Sequence, residues 1–188
     1  MEEVQKYRFK VVVVGDNHVG KTSLIRKFTQ GSFERDHIKT IGAEFSKYEK
    51  EIDGNAIRLI FWHIAGQDDS SYLPHTFLGE TSAAIIVCSL EDTEQGRASF
   101  SYIPYWHDNI VKYNGEVPMY LFANKMDLVE ENSIDKGGIE RVVEEYHLQG
   151  YYFTSAVTGG DIIRAFDDIS LELYKQAKEK QEQESGRK

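Results

Sequence analysis

A chain of 188 residues with 40% hydrophobic and 28% charged residues has the composition of a soluble protein with one sizeable core, and a second domain is not expected. Its formal net charge of −9 argues against a general nucleic-acid binder, which needs a basic face for phosphate contacts. A single cysteine, Cys88, excludes a disulfide framework and a cysteine metal site. The apolar runs fall short of the roughly 20 residues of a membrane span, and Met1-Glu2-Glu3 is unlike a basic signal peptide, so the chain reads as cytoplasmic.

Strand and helix signals alternate along the chain, which predicts a mostly parallel sheet with helices on both faces. The first strand is expected over about Phe9 to Val14, through the β-branched run Val11-Val12-Val13-Val14. The first helix follows over about Lys21 to Gln30, with Leu24, Ile25 and Phe28 on its apolar stripe. Strands near Glu44 to Ile52 and Ala56 to Ile64 flank Asp53-Gly54-Asn55, a hairpin turn signal that makes one edge of the sheet antiparallel. Further strands fall near Ala83 to Leu90, where Cys88 reads as a small core residue, near Pro118 to Ala123 and near Gly150 to Thr154. Helices are expected over about Ile103 to Tyr113, Ile134 to Tyr146 and Asp161 to Lys178, the last carrying Ile162, Phe166, Ile169 and Leu173 at helical spacing. Gly137-Gly138 reads as a local helix interruption, and the charged segment 179–188 as a solvated, disordered tail after a domain spanning 1–178.

Two motifs carry chemistry. Gly15-Asp16-Asn17-His18-Val19-Gly20-Lys21-Thr22 fits the G-x-x-x-x-G-K-[ST] spacing between a strand and a helix. In such a loop the glycines let backbone N–H groups turn onto phosphate oxygens, and the helix start adds its partial positive charge. Lys21 would reach the β- and γ-phosphates, and the Thr22 hydroxyl would ligate Mg²⁺. The second motif, Asn124-Lys125-Met126-Asp127, follows the apolar run 119–123. A carboxylate accepts two parallel hydrogen bonds from the N1–H and N2 amino group of guanine, whereas adenine offers an acceptor at N1. Asp127 therefore points to guanine, Asn124 would meet the base edge or tie the loops together, and the Lys125 stem would lie over the purine face.

With these residues in place the chain resembles the Ras-like small GTPases, and within them the Rab branch, from about Tyr7 to Lys175. The resemblance implies a P-loop NTPase fold with a six-stranded sheet, GTP/GDP and Mg²⁺ as ligands, and a GTP hydrolase slow without an activating partner. It implies that Thr40 in His37-Ile38-Lys39-Thr40-Ile41-Gly42 is the switch I threonine that ligates Mg²⁺ and senses the γ-phosphate. Ala65-Gly66-Gln67 is similar to switch II, with the Gly66 amide facing the γ-phosphate and Gln67 orienting the attacking water. Thr154-Ser155-Ala156 is similar to the last guanine loop, with the Ala156 N–H toward the base O6, and Phe33 falls where an aromatic ring lies edge-on to the base. Carried over by position, the nucleotide-contacting set runs from Asp16 through Ser23 and includes Phe33, Thr40, Gly66, Asn124, Lys125, Asp127, Ser155, Ala156 and Val157. The catalytic set is Gln67, Lys21, Thr40 and Gly66, and the protein's metal ligands are Thr22 and Thr40.

Phe45, Trp62 and Phe77 fall at the spacing of the Rab hydrophobic triad, a surface read by effectors, exchange factors and activating proteins; the alternative is three core aromatics. The resemblance also implies a monomer and no nucleic-acid partner. Several positions depart from the pattern. His63 and Ile64 stand where the family carries Asp and usually Thr, so the negative charge near the cation is lost and weaker Mg²⁺ retention with faster nucleotide loss is expected. Asn17 stands beside the γ-phosphate position, where the family often has Gly or Ser, and Val157 replaces a Lys near the base. His37 replaces a Tyr that covers the phosphates. The family's prenylated C-terminal cysteines have no counterpart in Glu179 to Lys188, so either the protein is not lipidated or the sequence stops before its lipidation site. The expected function is a nucleotide-dependent switch in membrane trafficking. The alternative is a nucleotide-binding interaction module with little or no hydrolysis. A small-molecule kinase would account for the phosphate loop but not for Asn124-Lys125-Met126-Asp127.

Overall fold

The computed structural model describes residues 4–29, 43–64 and 75–185. Six strands form one sheet in the order β2-β3-β1-β4-β5-β6: β1 (Lys6–Val14), β2 (Ala43–Ile52), β3 (Asn55–Ile64), β4 (Ala83–Ser89), β5 (Met119–Asn124) and β6 (Gly150–Thr154). Only β2 and β3 pair antiparallel; β1 pairs parallel with β3 and β4, β4 with β5, and β5 with β6. The β2–β3 turn is the two-residue loop Asp53-Gly54, with φ of 50° and 74°. Positive φ at both central residues is the type I′ geometry whose twist matches paired strands, and it aligns Ile52 with Asn55.

β4 and β5 are apolar up to their last residues, Ser89 and Asn124, because both faces are covered: every residue of the two strands is buried. On one face Val11, Val13, Leu59, Phe61, Ile85 and Phe122 pack against α1 (Lys21–Phe28) and α6 (Ile162–Ser185) through Leu24, Ile25, Phe166 and Ile169. On the other, Val12, Val14, Ile86 and Leu121 pack against α2 (His75–Leu78), α4 (Ile103–Asn114) and α5 (Lys136–Glu145) through Leu78, Ile110 and Ile139. Each such side chain removed from water contributes about 1.5–3 kcal/mol against chain entropy. The two faces thus fix where the carboxyl ends of β1, β4, β5 and β6 emerge together. Cys88 lies fully inside on β4, and burial pushes its thiol up to about 12.

Pro104 does what its ring requires. A helix α3 (Glu94–Ser101) ends at Tyr102, and α4 starts at Ile103 with Pro104 in its first turn, where a missing N–H costs nothing. Thr93 caps α3, its Oγ accepting from the Gly96 N–H at 3.0 Å. Two expectations are corrected. Gly137-Gly138 form the first turn of α5 rather than an interruption: Asp135 caps the helix by accepting from the Gly138 N–H at 2.8 Å, and a Cβ on Gly138 would lie 2.4 Å from that carboxylate. Of the segment expected as a disordered tail, residues 179–185 continue α6 and are exposed, because Glu, Lys and Gln are good helix formers on a helix already nucleated by packing, while 186–188 lie outside the described residues.

Candidate functional site

The phosphate loop runs from the end of β1 to the start of α1 and turns three times through left-handed backbone, at Gly15, His18 and Gly20, with φ of 139°, 62° and 98°. At the two ends only glycine fits. A Cβ on Gly15 would lie 2.2 Å from the Val87 carbonyl oxygen, and one on Gly20 2.4 Å from Asn124 Nδ2. His18 has no such exemption, and holding a β-carbon in this region costs about 1 kcal/mol. Its neighbour Asn17 and the helical Ser23 are exposed, while Thr22 is half-buried and Val19 buried.

Lys21 Nζ donates to the carbonyls of Gly15 at 2.7 Å and Asp16 at 2.6 Å, so the ammonium closes the loop on itself. Burial pulls its pKa down to about 8, with Asp16 only partly opposing this. A buried cation surrounded by carbonyls and helix-start amides suits a polyanion. Burial also raises the Asp16 carboxyl, partly offset by Trp106, whose Nε1–H donates to Asp16 Oδ1 at 2.9 Å across 90 residues of sequence. Trp106 is 4% exposed and stands on α4, which is thereby fastened to the phosphate loop.

The base end is assembled by two linked pairs of side chains, Asn124 with Thr154 and Asp127 with Ser155. Asn124, 1% exposed at the end of β5, donates from Nδ2 to the Val19 carbonyl at 2.7 Å and accepts at Oδ1 from the Thr154 hydroxyl at 3.1 Å. Its amide thus ties the phosphate loop to β5 and β6, one of the two roles expected of it. Asp127 sits exposed in the 3₁₀ turn Met126–Leu128, its Oδ1 accepting from Ser155 Oγ at 2.6 Å. The same hydroxyl accepts from the N–H groups of Val157 at 3.2 Å and Thr158 at 3.0 Å, which folds the Ser155-Ala156-Val157 loop toward the Asp127 turn. Val157 is 72% exposed and Leu128 59% exposed, an apolar rim beside that turn. Lys125 has left-handed backbone, φ 67°, and its ammonium forms an ion pair with Glu91, a residue the sequence motifs do not single out.

Phe33, His37, Thr40, Gly66 and Gln67 lie outside the described residues, and with them both switch segments. His63 is described: it is 1% exposed near the end of β3, paired with Val13 of β1. The aromatic trio is contiguous. Phe45 and Trp62 meet edge to face with centroids 4.3 Å apart, Trp62 and Phe77 lie 6.2 Å apart, and the Lys10 ammonium stands 3.8 Å over the Trp62 ring. Phe77 is 1% exposed and belongs to the core, whereas Phe45 and Trp62 are half-buried.

The donor set can be tested against each implied ligand. The loop, its committed Lys21 and the Asp127 turn fit a guanine nucleotide. For Mg²⁺ the expected Thr22 hydroxyl would be a hard ligand, and among the described residues no group of three or more His, Cys, Asp or Glu is placed to hold a metal. That fits a cation carried largely by phosphate oxygens and water. Among the described residues no helix is long and apolar enough to cross a membrane.

Comparison with known proteins agrees with this geometry. The model of the Ras family matches residues 10–175. The chain is 30% identical to the Ras-related protein Rab-19 of Rattus norvegicus over 92% of this chain and 78% of that protein. It is 30% identical to Rab-30 of Homo sapiens over 92% of this chain and 83% of that protein. To Rab-26 of Bos taurus it is 32% identical over 88% of this chain, spanning 63% of that longer relative. A family match across most of the chain, on a sheet and loops of this form, makes it a member of the Ras family, a divergent Rab-like small GTPase.

Proposed function

We propose that this protein binds GTP and GDP with Mg²⁺, hydrolyses GTP slowly on its own, and acts as a nucleotide-dependent switch in membrane trafficking. The observation that carries the reading is the linkage of Val19, Asn124 and Thr154, with Ser155 on Asp127, which holds a phosphate loop and a guanine-reading carboxylate in one rigid frame. Lys21 and the loop amides would bind the β- and γ-phosphates, and Thr22 with Thr40 would hold Mg²⁺, which when bound neutralises phosphate charge. Gln67 would orient the attacking water, and Thr40 and Gly66 would close on the γ-phosphate and release after hydrolysis. Phe33, Ala156 and Val157 would border the base. Phe45 and Trp62, backed by Phe77, would meet effectors, exchange factors and activating proteins. The protein would be a cytoplasmic monomer that reaches membranes through partners or a lipidated tail beyond this sequence.

A second reading, a nucleotide-binding module with little hydrolysis, is favoured by one observation: a buried His63 where relatives place a carboxylate beside the cation. Single-turnover GTP hydrolysis at saturating Mg²⁺, followed by chromatographic separation of GTP and GDP, distinguishes the two. Hydrolysis that falls about tenfold or more in Gln67→Leu supports the switch. Bound GTP that stays intact in both proteins supports the module.

A further inference from the structure

Glu91 stands two residues past the end of β4, beside the base site but outside both nucleotide motifs. Its loop is fixed from several sides. The Leu90 N–H donates to the Asn124 carbonyl at 2.8 Å, which seats the loop against the residue preceding Lys125. The Ser89 N–H donates to Ser99 Oγ at 2.9 Å, and the Thr93 N–H to the Glu91 carbonyl at 2.8 Å. A Cβ on Gly96 would lie 2.0 Å from that carbonyl oxygen, so only glycine lets α3 pack so closely on Glu91. The carboxylate is oriented in turn by Ser89, whose hydroxyl donates to Oε2 at 3.0 Å. That oxygen also receives the Lys125 ammonium.

A second carboxylate, Asp127, belongs to the 3₁₀ turn that Lys125 begins. Asp127 follows two residues later, with Oδ1 already accepting from Ser155. Asp127 and Glu91 are close enough for the charge of one to be felt by the other. An ammonium released from Glu91 would be drawn to the remaining oxygen of Asp127, the acceptor a guanine edge needs. Burial sharpens the preference: the Lys125 and Glu91 side chains are 23% and 28% exposed, so each is better paired than left alone.

We propose that Glu91 is a positioning residue for base selection, which holds the Lys125 ammonium away from Asp127 and so keeps that carboxylate open to both donors of guanine. The proposal rests on the guanine-nucleotide reading above. It predicts a signature that a merely structural residue would not give. Guanine offers N1–H and an N2 amino group, whereas hypoxanthine offers N1–H alone, so an ammonium parked on one Asp127 oxygen penalises guanine selectively.

The test compares dissociation of tritiated GDP and IDP from the full chain in Mg²⁺ by filter retention. Glu91→Gln keeps the volume and the Ser89 contact but removes the charge. Its GDP dissociation is expected to accelerate roughly two- to fivefold while IDP changes little, which narrows the GDP-to-IDP ratio. In a Lys125→Met background the same substitution should have no further effect on the ratio, because no ammonium remains to redirect. Asp92→Asn, which removes the adjacent surface charge paired with Arg97, should leave the ratio unchanged. Equal acceleration of GDP and IDP, an effect that persists without Lys125, or the same change from Asp92→Asn would each overturn the proposal while leaving nucleotide binding intact. Failure of the unsubstituted chain to retain GDP would remove the guanine reading and this inference together.

Discussion

The carboxyl edge of the sheet has two ends with different characters. At the base end Asn124, Lys125 and Asp127 match the family pattern, although Val157 departs from it, and each of the three is held by a partner: Asn124 by Val19 and Thr154, Asp127 by Ser155, Lys125 by Glu91. At the β3 end a buried imidazole, His63, stands where the resemblance places a carboxylate, and exposed Asn17 and left-handed His18 lie on the facing loop. The difference teaches that, on the proposed reading, the residues that would read the base and those that would face the terminal phosphate and metal stand on separate strand ends and can diverge separately.

The comparison breaks most sharply at Asp127. Asp127→Asn exchanges a two-oxygen acceptor for one donor and one acceptor, so GDP affinity should fall at least about a hundredfold while xanthosine diphosphate gains, as equilibrium competition would measure. Unchanged GDP affinity would mean the base is read elsewhere. Asn124→Ala removes a buried amide bonded on both sides and leaves the Val19 carbonyl and Thr154 hydroxyl unsatisfied; a loss of about 2–4 kcal/mol in denaturant unfolding is expected.

At the other end, His63→Asp should tighten Mg²⁺ binding to the GDP complex by about tenfold and slow nucleotide release in proportion, read by titrating Mg²⁺ against dissociation rate. No change would show that the β3 end is not metal-deficient, and the contrast between the two ends would lose its basis. Trp106→Phe deletes the indole donor to Asp16 without opening a large cavity and should cost about 1–2 kcal/mol of stability. The smallest effect concerns acid. The Lys125 ammonium holds the Glu91 carboxyl below its ordinary range, helped by Ser89 and opposed by burial and Asp127. A depressed carboxyl contributes stability that is present above its ordinary pKa and lost as pH falls through the folded value. Glu91→Gln should therefore flatten the acid limb of the unfolding profile and leave the neutral plateau slightly lower.

Features whose causes lie within a few residues were legible in the sequence. Asp53-Gly54 announces its own turn because both residues tolerate positive φ, and the phosphate loop is recognisable because its glycines stand where a Cβ would strike Val87 and Asn124. The start of the helix at Ile103 was equally local, with Pro104 in its first turn. α3 was missed because Glu94 to Ser101 lacks an apolar stripe at helical spacing, although Thr93 with the acid after it is a cap signal. The contacts that complete the site were not legible at all. Trp106 meets Asp16 across 90 residues and Glu91 meets Lys125 across 34, and neither pair forms a spacing pattern in one dimension. The turn into left-handed backbone at His18 was hidden too, since the motif permits any residue there. The roles of Phe33, Thr40, Gly66 and Gln67 lie outside the described residues.

The chain has two tryptophans, and the fold puts them at opposite duties. Trp62 stands half-buried beneath the Lys10 ammonium in the aromatic cluster proposed to meet partners, and Trp106 is buried with its indole N–H on the phosphate loop. Emission from the first should respond to whatever covers that cluster, and from the second to whatever changes the charge at Asp16. With each replaced in turn by phenylalanine, the remaining tryptophan would report separately on the aromatic cluster or on the phosphate loop, without an added dye.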